Sequence, residues 1–305
     1  MRSLARILFV LGTLVAVPAS QVWAEDADAH YKQGLAYKQQ GKSDDAIASL
    51  EKAVAANPKH GMAWSSLGNL YKLKGDIKKA VNAYEMATAV IKKDKVLWGN
   101  LGMAYYRNDQ IDKSLEALVT ASKLAPKDAE IRGNLGTVRR KKGDTAGAII
   151  DLEEATKLKP DDANYWNNLG VAYRTAKRDD DAIKAYGKAV ALSPNDASFH
   201  FNLAVTYRRK EMIDEAIASY EKAVGLDPSN AEGWFDLGFM YKTDHQNDKA
   251  IEAFNKYLEL NKAKDPAGAK RVEDEIGSMG GTVKKETPKK DPPTKAPPKK
   301  APKKK

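Results

Sequence analysis

Apolar and small residues in this chain fall at helical spacing, and the pattern recurs. In the stretch 163–196, Trp166, Leu169, Gly170 and Tyr173 share one helical face. Ala182, Tyr186 and Ala189 share a face of a second helix, which Pro194 ends. Two helices of about 13 residues bury too little apolar surface to stand alone, so neighbours are required. Stepping by 34 from Gly170 returns Gly34, Gly68, Gly102, Gly136, Ala204 and Gly238. Three residues further on stand Tyr37, Tyr71, Tyr105, Arg139, Tyr173, Tyr207 and Tyr241. Four before the Gly stand His30, Trp64, Trp98, Arg132, Trp166, His200 and Trp234. The pattern predicts seven helix–turn–helix units: 27–60, 61–94, 95–128, 129–162, 163–196, 197–230 and 231–264. Gly and Ala let helices approach, and the aromatics fill the spaces between them. Asp128, Asp162, Asp196 and Asn230 stand where their side chains can cap the next helix.

The period and the W-x-x-L-G-x-x-Y…A…P order resemble the tetratricopeptide repeat family over about four fifths of the 305 residues. The resemblance implies an all-α, right-handed solenoid of tandem helix pairs that binds other proteins. Two units depart from the pattern. The first has His30 and Gln33 where Trp and Leu are expected, as suits an end repeat. The fourth has Arg132 and Arg139 in place of both aromatics, so 129–162 is expected to be the least stable internal unit. Beyond the repeats, Asp265 and Pro266 open a helix whose Ala269, Val272 and Ile276 share a face. The stretch 265–277 is therefore expected to cap the last repeat.

The two ends are different material. Residues 1–24 read as a secretory signal peptide, with Arg2 and Arg6, an apolar run over 7–17, and cleavage after Ala24. The run is too short for a bilayer of about 30 Å; an uncleaved anchor is the alternative. This predicts an exported protein, periplasmic or envelope-associated. Residues 280–305 contain ten Lys and six Pro and are expected to be disordered, as part of a tail over 278–305. Its +8 charge suits contact with anionic envelope lipid or polymer, or simple solubility. The tail and signal together carry the whole formal charge of +10, so the body, 25–279, is formally neutral. A neutral body argues against nucleic acid as partner.

Chemistry is sparse. With no Cys there is no disulfide, thiolate site or Cys nucleophile. The four His are scattered, and Asp179-Asp180-Asp181 lacks calcium-loop spacing and reads as a helix start. Gly41-Lys42-Ser43 lacks the earlier Gly of a phosphate loop. No catalytic constellation can be assembled, and no cofactor or metal is expected.

The remaining signal is surface. Two residues before the Gly phase, opposite the packed positions, stand Lys32, Ser66, Asn100, Asn134, Asn168, Asn202 and Asp236. By the resemblance this face lines the concave groove. An amide both donates and accepts, so an Asn ladder can hold an extended peptide backbone; satisfying neighbouring helices is the alternative. Beside it run Lys38, Lys72, Tyr106, Arg140, Arg174, Arg208 and Lys242, a basic strip suited to acidic ligands. Phe201, Val205, Phe235 and Phe239 are apolar candidates, with Phe201 and Phe235 open to being core. The family's two-carboxylate clamp is only partly matched, by Asn69 and Asn100; Ser65, Glu130 and Asn134 stand where its basic residues would be. The reading is a non-enzymatic scaffold or adaptor holding a protein or peptide. A self-assembling homo-oligomeric platform and a tail-driven envelope binder are the alternatives.

Overall fold

The structure, a computed structural model, describes residues 19–283, with side chains from Asp26 onward. The expected signal's start, 1–18, and most of the Lys/Pro tail, 284–305, lie outside the described residues. Within them the protein is all-α, in two compact units divided between Ala176 and Lys177.

The first unit holds α1 (Ala19–Gln39), α2 (Ser43–Ala56), α3 (Gly61–Lys74), α4 (Ile77–Val90) and α5 (Lys95–Arg107). It continues with α6 (Ile111–Leu124), α7 (Ala129–Lys142), α8 (Thr145–Leu158) and α9 (Ala163–Thr175). The second holds α10 (Asp179–Leu192), α11 (Ala197–Arg209), α12 (Ile213–Leu226), α13 (Ala231–Thr243), α14 (Asn247–Asn261) and α15 (Pro266–Ser278). Pairing is sequential: α1 with α2, α3 with α4, α5 with α6, α7 with α8, α11 with α12 and α13 with α14. Each pair then packs on the first helix of the next within its unit. α1 runs through the expected cleavage point at Ala24 without a break.

The recurring Gly is explained by close approach. A Cβ on Gly68 would come within 2.6 Å of the Tyr84 ring, and one on Gly238 within 2.4 Å of Phe254. Tyr84, Tyr220 and Phe254, with Leu50, Leu118 and Leu152 at the same phase, are wholly buried. Asp128, Asp162, Asp196 and Asn230 each accept a backbone N–H in the first turn of α7, α9, α11 and α13. The turn inside each pair passes through the left-handed region, at Gly41, Gly75 and Gly143 but also at Asp109, Lys177, Glu211 and His245. The four side-chain-bearing residues carry strain that glycine avoids.

The Trp phase has a second role. Trp64, Trp98, Trp166 and Trp234 each donate the indole N–H to a backbone carbonyl six residues earlier, at 2.8–3.0 Å. Arg132 keeps that bond to Pro126 at 3.1 Å, and His200 keeps it to Pro194 at 2.9 Å. A carbonyl only accepts, so His200 carries its proton on Nε2. The Tyr phase reaches back 20 residues: Tyr71 to Glu51, Tyr105 to Glu85, Tyr173 to Glu153 and Tyr241 to Glu221. Burial, then the Glu partner, pushes the Tyr71, Tyr105 and Tyr241 phenols well above their usual range.

Arg139 breaks this rule, and the structure shows what replaces it. Arg132 lies 2.9 Å from one oxygen of Asp151, and Arg139 lies 2.9 Å from the other. Asp151 is 1% exposed. It stands where the other units carry Ala or Ser, at Ser49, Ala83, Ala117, Ala185, Ser219 and Ala253. Three changes in unit four therefore form one device: two aromatics and a small residue are exchanged for an Arg–Asp–Arg cluster in the seam. The Arg139 contact is an ion pair without hydrogen-bond alignment, since Asp151 Oδ2 has no hydrogen-bond partner.

The cap is present. α15 packs on α14 and buries Ala269, Val272 and Ile276, with Asp265 accepting from Gly268 N–H. Met279 and Val283 also rest on this core, so packed chain extends past Ser278.

Candidate functional site

The first helix of each pair has two sides. One carries the Trp, Leu, Gly and Tyr phases and faces the seam: Leu67, Leu101, Leu135, Leu169, Leu203 and Leu237 are all buried. The other carries the predicted ligand series. Asn100 on α5, Asn134 on α7, Asn168 on α9 and Asn202 on α11 are half-buried, whereas Asp236 on α13 is 5% exposed. Arg140, Arg174, Arg208, Lys242 and Phe239 are half-buried.

The two series, read from sequence as parallel strips, are joined to each other. Lys72 Nζ donates to Asn100 Oδ1 at 3.1 Å, 28 residues on. Arg208 lies 3.0 Å from Asp236 Oδ1, again 28 residues on. A base on one repeat thus reaches the amide or carboxylate of the next. Asp236 is the clearest departure from the sequence reading: its other oxygen accepts from the buried Tyr220 hydroxyl at 2.9 Å, which binds it into the core. At the corresponding step from Lys242 stands Lys270, a like charge, and Lys242 pairs instead with Glu275 of the cap.

Between these closed steps lie open ones. Asn134 faces the Tyr106 step and Asn168 the Arg140 step, and among the described residues neither amide has a hydrogen-bond partner. Arg140 has no acidic partner, and its Nε is enclosed without a hydrogen bond. Arg174 and Asn202 are not free; both have partners.

The apolar candidates are covered. Phe201 meets Tyr220 edge-on at 5.8 Å. Phe235 meets Phe239 at 4.9 Å and Tyr257 at 5.1 Å, and Phe239 meets Phe254 at 5.0 Å. Arg271 of α15 lies over Phe239 at 4.7 Å. Phe239, an expected anchor for a partner, is therefore half-buried beneath the cap. An open hollow of about 910 Å³ beside it is lined by Lys242, Lys270, Arg271, Asp274 and Glu275 among others.

Sequence reasoning missed a further set of links. Lys74 pairs with Asp44, Lys142 with Asp112 and Lys210 with Asp180, each joining successive pairs through their turns. Asp179 pairs with Arg209 and Asp181 with Arg178, so the acidic run at 179–181 is held by internal cations. The recurrence of Lys74, Lys142 and Lys210 in every second unit was the available signal. Among the described residues no group of three or more metal-ligating side chains converges, and no helix is long and apolar enough to cross a membrane.

The family described as tetratricopeptide repeat matches residues 201–269. The cilia and flagella-associated protein 70 C-terminal domain, a family of the same repeats, matches residues 8–233. The chain belongs to the tetratricopeptide repeat family. Among solved tetratricopeptide repeat structures, the APC/C hetero-tetramer Cut9–Hcn1 is similar at 26% identity and a TM-score of 0.57, over 72% of this chain and 44% of that one. The chain thus spans under half the length of that relative. A tetratricopeptide repeat protein from Parabacteroides merdae ATCC 43184 is similar over 84% of this chain and 100% of that one, at 15% identity and a TM-score of 0.61. YrrB, described as a TPR protein with an unusual peptide-binding site, is similar over 64% and 100%, at 20% identity and a TM-score of 0.54. At those two identities the likeness concerns the fold alone. No curated protein matches.

Proposed function

We propose that this chain is a non-enzymatic adaptor that holds a segment of another protein against the Asn-bearing face of its first helices. One observation carries the reading. Asn100, Asn134 and Asn168 recur on the side of α5, α7 and α9 away from the buried Leu101, Leu135 and Leu169, and all three remain half-exposed. Asn100 also accepts from Lys72 of the preceding repeat, but Asn134 and Asn168 have no hydrogen-bond partner among the described residues and suit a backbone laid along the repeats. The tetratricopeptide fold is a protein-binding scaffold, which supports the class of partner. Residues 1–24 direct the adaptor out of the cytoplasm, to the periplasm or envelope. Sequencing the mature amino terminus tests this: Glu25 as the first residue agrees, and an intact Met1 does not.

The central test is affinity capture with the mature chain, comparing wild type with the Asn134→Ala, Asn168→Ala, Asn202→Ala triple variant. The wild type retains a protein that the triple variant loses at least tenfold, with unchanged helicity. Identical captured material would move the binding face elsewhere. Light scattering separates the self-assembly alternative, since a monomeric adaptor has no need of stacked copies.

A further inference from the structure

This inference rests on the binding face proposed above and names the chemistry of its occupant. The bases of the strip differ in one respect: whether the molecule already answers their charge. Lys72 is bonded to Asn100, Arg208 to Asp236, and Lys242 to Glu275. Arg107 at the end of α5 and Arg140 and Lys141 at the end of α7 have no acidic partner among the described residues. Asn134 stands on α7 with Arg140 and Lys141, and Asn168 stands on α9; these are the two amides of the ladder that also lack a bond.

The neighbouring acids do not answer them. Asp112 is held by Lys142, and Asp151 by Arg132 and Arg139. Asp144 caps α8 by accepting from Gly147 N–H and lies 3.7 Å from Arg139. Asp109, in the turn after Arg107, and Glu130, in the first turn of α7, are exposed and make no ion pair. The body is formally neutral, yet this stretch of the first unit presents three uncompensated cations beside two unused amides.

We infer that the face around Arg107, Asn134, Arg140, Lys141 and Asn168 binds an acidic, extended polypeptide segment. Its carboxylates pair with the two guanidiniums and the ammonium, and its main chain bonds the two amides. Guanidiniums favour carboxylates through paired, charge-assisted hydrogen bonds, and the face is exposed enough for the attraction to be screened by salt. Arg140 makes no ion pair or side-chain hydrogen bond among the described residues, so its guanidinium is left to pair with a bound carboxylate.

Fluorescence anisotropy with labelled decaglutamate, and decaglutamine as control, tests the inference in the full chain. Three proteins are compared: wild type, the Arg107→Gln, Arg140→Gln, Lys141→Gln variant, and a tail variant with Lys289, Lys290 and Lys295 changed to Gln. The face variant should melt like wild type, since Arg107, Arg140 and Lys141 make no ion pair among the described residues. Decaglutamate should bind wild type, weaken at least tenfold in the face variant, and change under twofold in the tail variant. The face-dependent part should disappear on raising salt from low ionic strength to about 0.3 M. Equal or larger loss in the tail variant, or decaglutamine binding as tightly, would overturn the inference. An Asn134→Ala, Asn168→Ala variant gives a charge-neutral check and should weaken decaglutamate severalfold. Capture that depends on the Asn ladder while decaglutamate ignores the face would reject the acidic chemistry alone. Indifference in both would reject the binding face as well.

Discussion

The pair α5–α6 and its successor α7–α8 carry out the same packing task with different chemistry. In α5–α6, Trp98 donates to the Lys92 carbonyl, Tyr105 reaches Glu85, and the rest of the seam is apolar except for the buried Ser114 hydroxyl. In α7–α8, Arg132 donates to the Pro126 carbonyl, and Arg139 has Val119 where Tyr71, Tyr105, Tyr173 and Tyr241 have Glu. Asp151, buried where α6 has Ala117, sits between the two guanidiniums. The repeat therefore tolerates loss of both aromatics because a third position changed with them. A pair of buried aromatics and a buried ion cluster are not equal, however. Desolvation offsets much of the attraction within the cluster, whereas the apolar seam has no such cost.

The largest expected effect breaks the cluster. Asp151→Ala leaves two guanidiniums, each about a quarter exposed, without their counter-ion. It should cost about 3 kcal/mol in urea unfolding, with hydrogen exchange accelerated first in α7–α8. Restoring the family pattern, with Arg132→Trp, Arg139→Tyr, Val119→Glu and Asp151→Ala together, should stabilise by about 1–3 kcal/mol. A loss instead would show the cluster to be the better solution here. In the unmodified protein, α7–α8 should exchange faster than α5–α6; equal protection would count against 129–162 as the weakest internal unit.

The next effect uses pH to separate the pairs. Burial and then a Glu partner raise the Tyr71 and Tyr105 phenols, so their stabilisation is complete below the unfolded value of about 10. It is lost as pH rises beyond that value, because the unfolded chain releases the proton first. Melting should fall between pH 9.5 and 11, and Tyr71→Phe with Tyr105→Phe should flatten that fall. At the acid end, burial alone would raise the Asp128 carboxyl. Lys95 and the Ile131 and Glu130 amides outweigh it and hold the group below the usual range. Its contribution is present above about pH 4 and lost as pH falls below the native value. Asp128→Asn should reduce the slope of melting temperature between pH 2 and 4.

The smallest effect is in the turns. Asp109 joins α5 to α6 with φ 57°, and Gly143 joins α7 to α8 with φ 89°. Asp109→Gly should stabilise by up to about 1 kcal/mol, and Gly143→Ala should cost about the same or more. Opposite signs in a thermal melt would sharpen the contrast; equal signs would remove turn strain from it.

These regions also show what the sequence makes legible. A period of 34 residues, with Trp, Gly and Pro at fixed phases, encodes the helices because each phase has a steric job. Helix caps at Asp128, Asp162, Asp196 and Asn230 were readable for the same reason, since a cap is local. Compensation across pairs was not. Asp151 looks like any helical acid until α7 places Arg132 and Arg139 on either side of it. The Asn and basic strips were readable as surface, yet which members are free depends on rotamers reaching one repeat forward. Asp236 and Phe239 fit the surface pattern, but Tyr220, Arg208 and Arg271 cover them.

The measurement that bears most directly on the account places a photo-cross-linking residue at Asn134, on the proposed binding face, or at Ile150 on α8. Ile150 is 64% exposed and carries no proposed role. Illumination in the native cell should yield a discrete protein adduct from position 134 and none from position 150. An adduct from position 150 with none from 134 would contradict the assignment of the binding face.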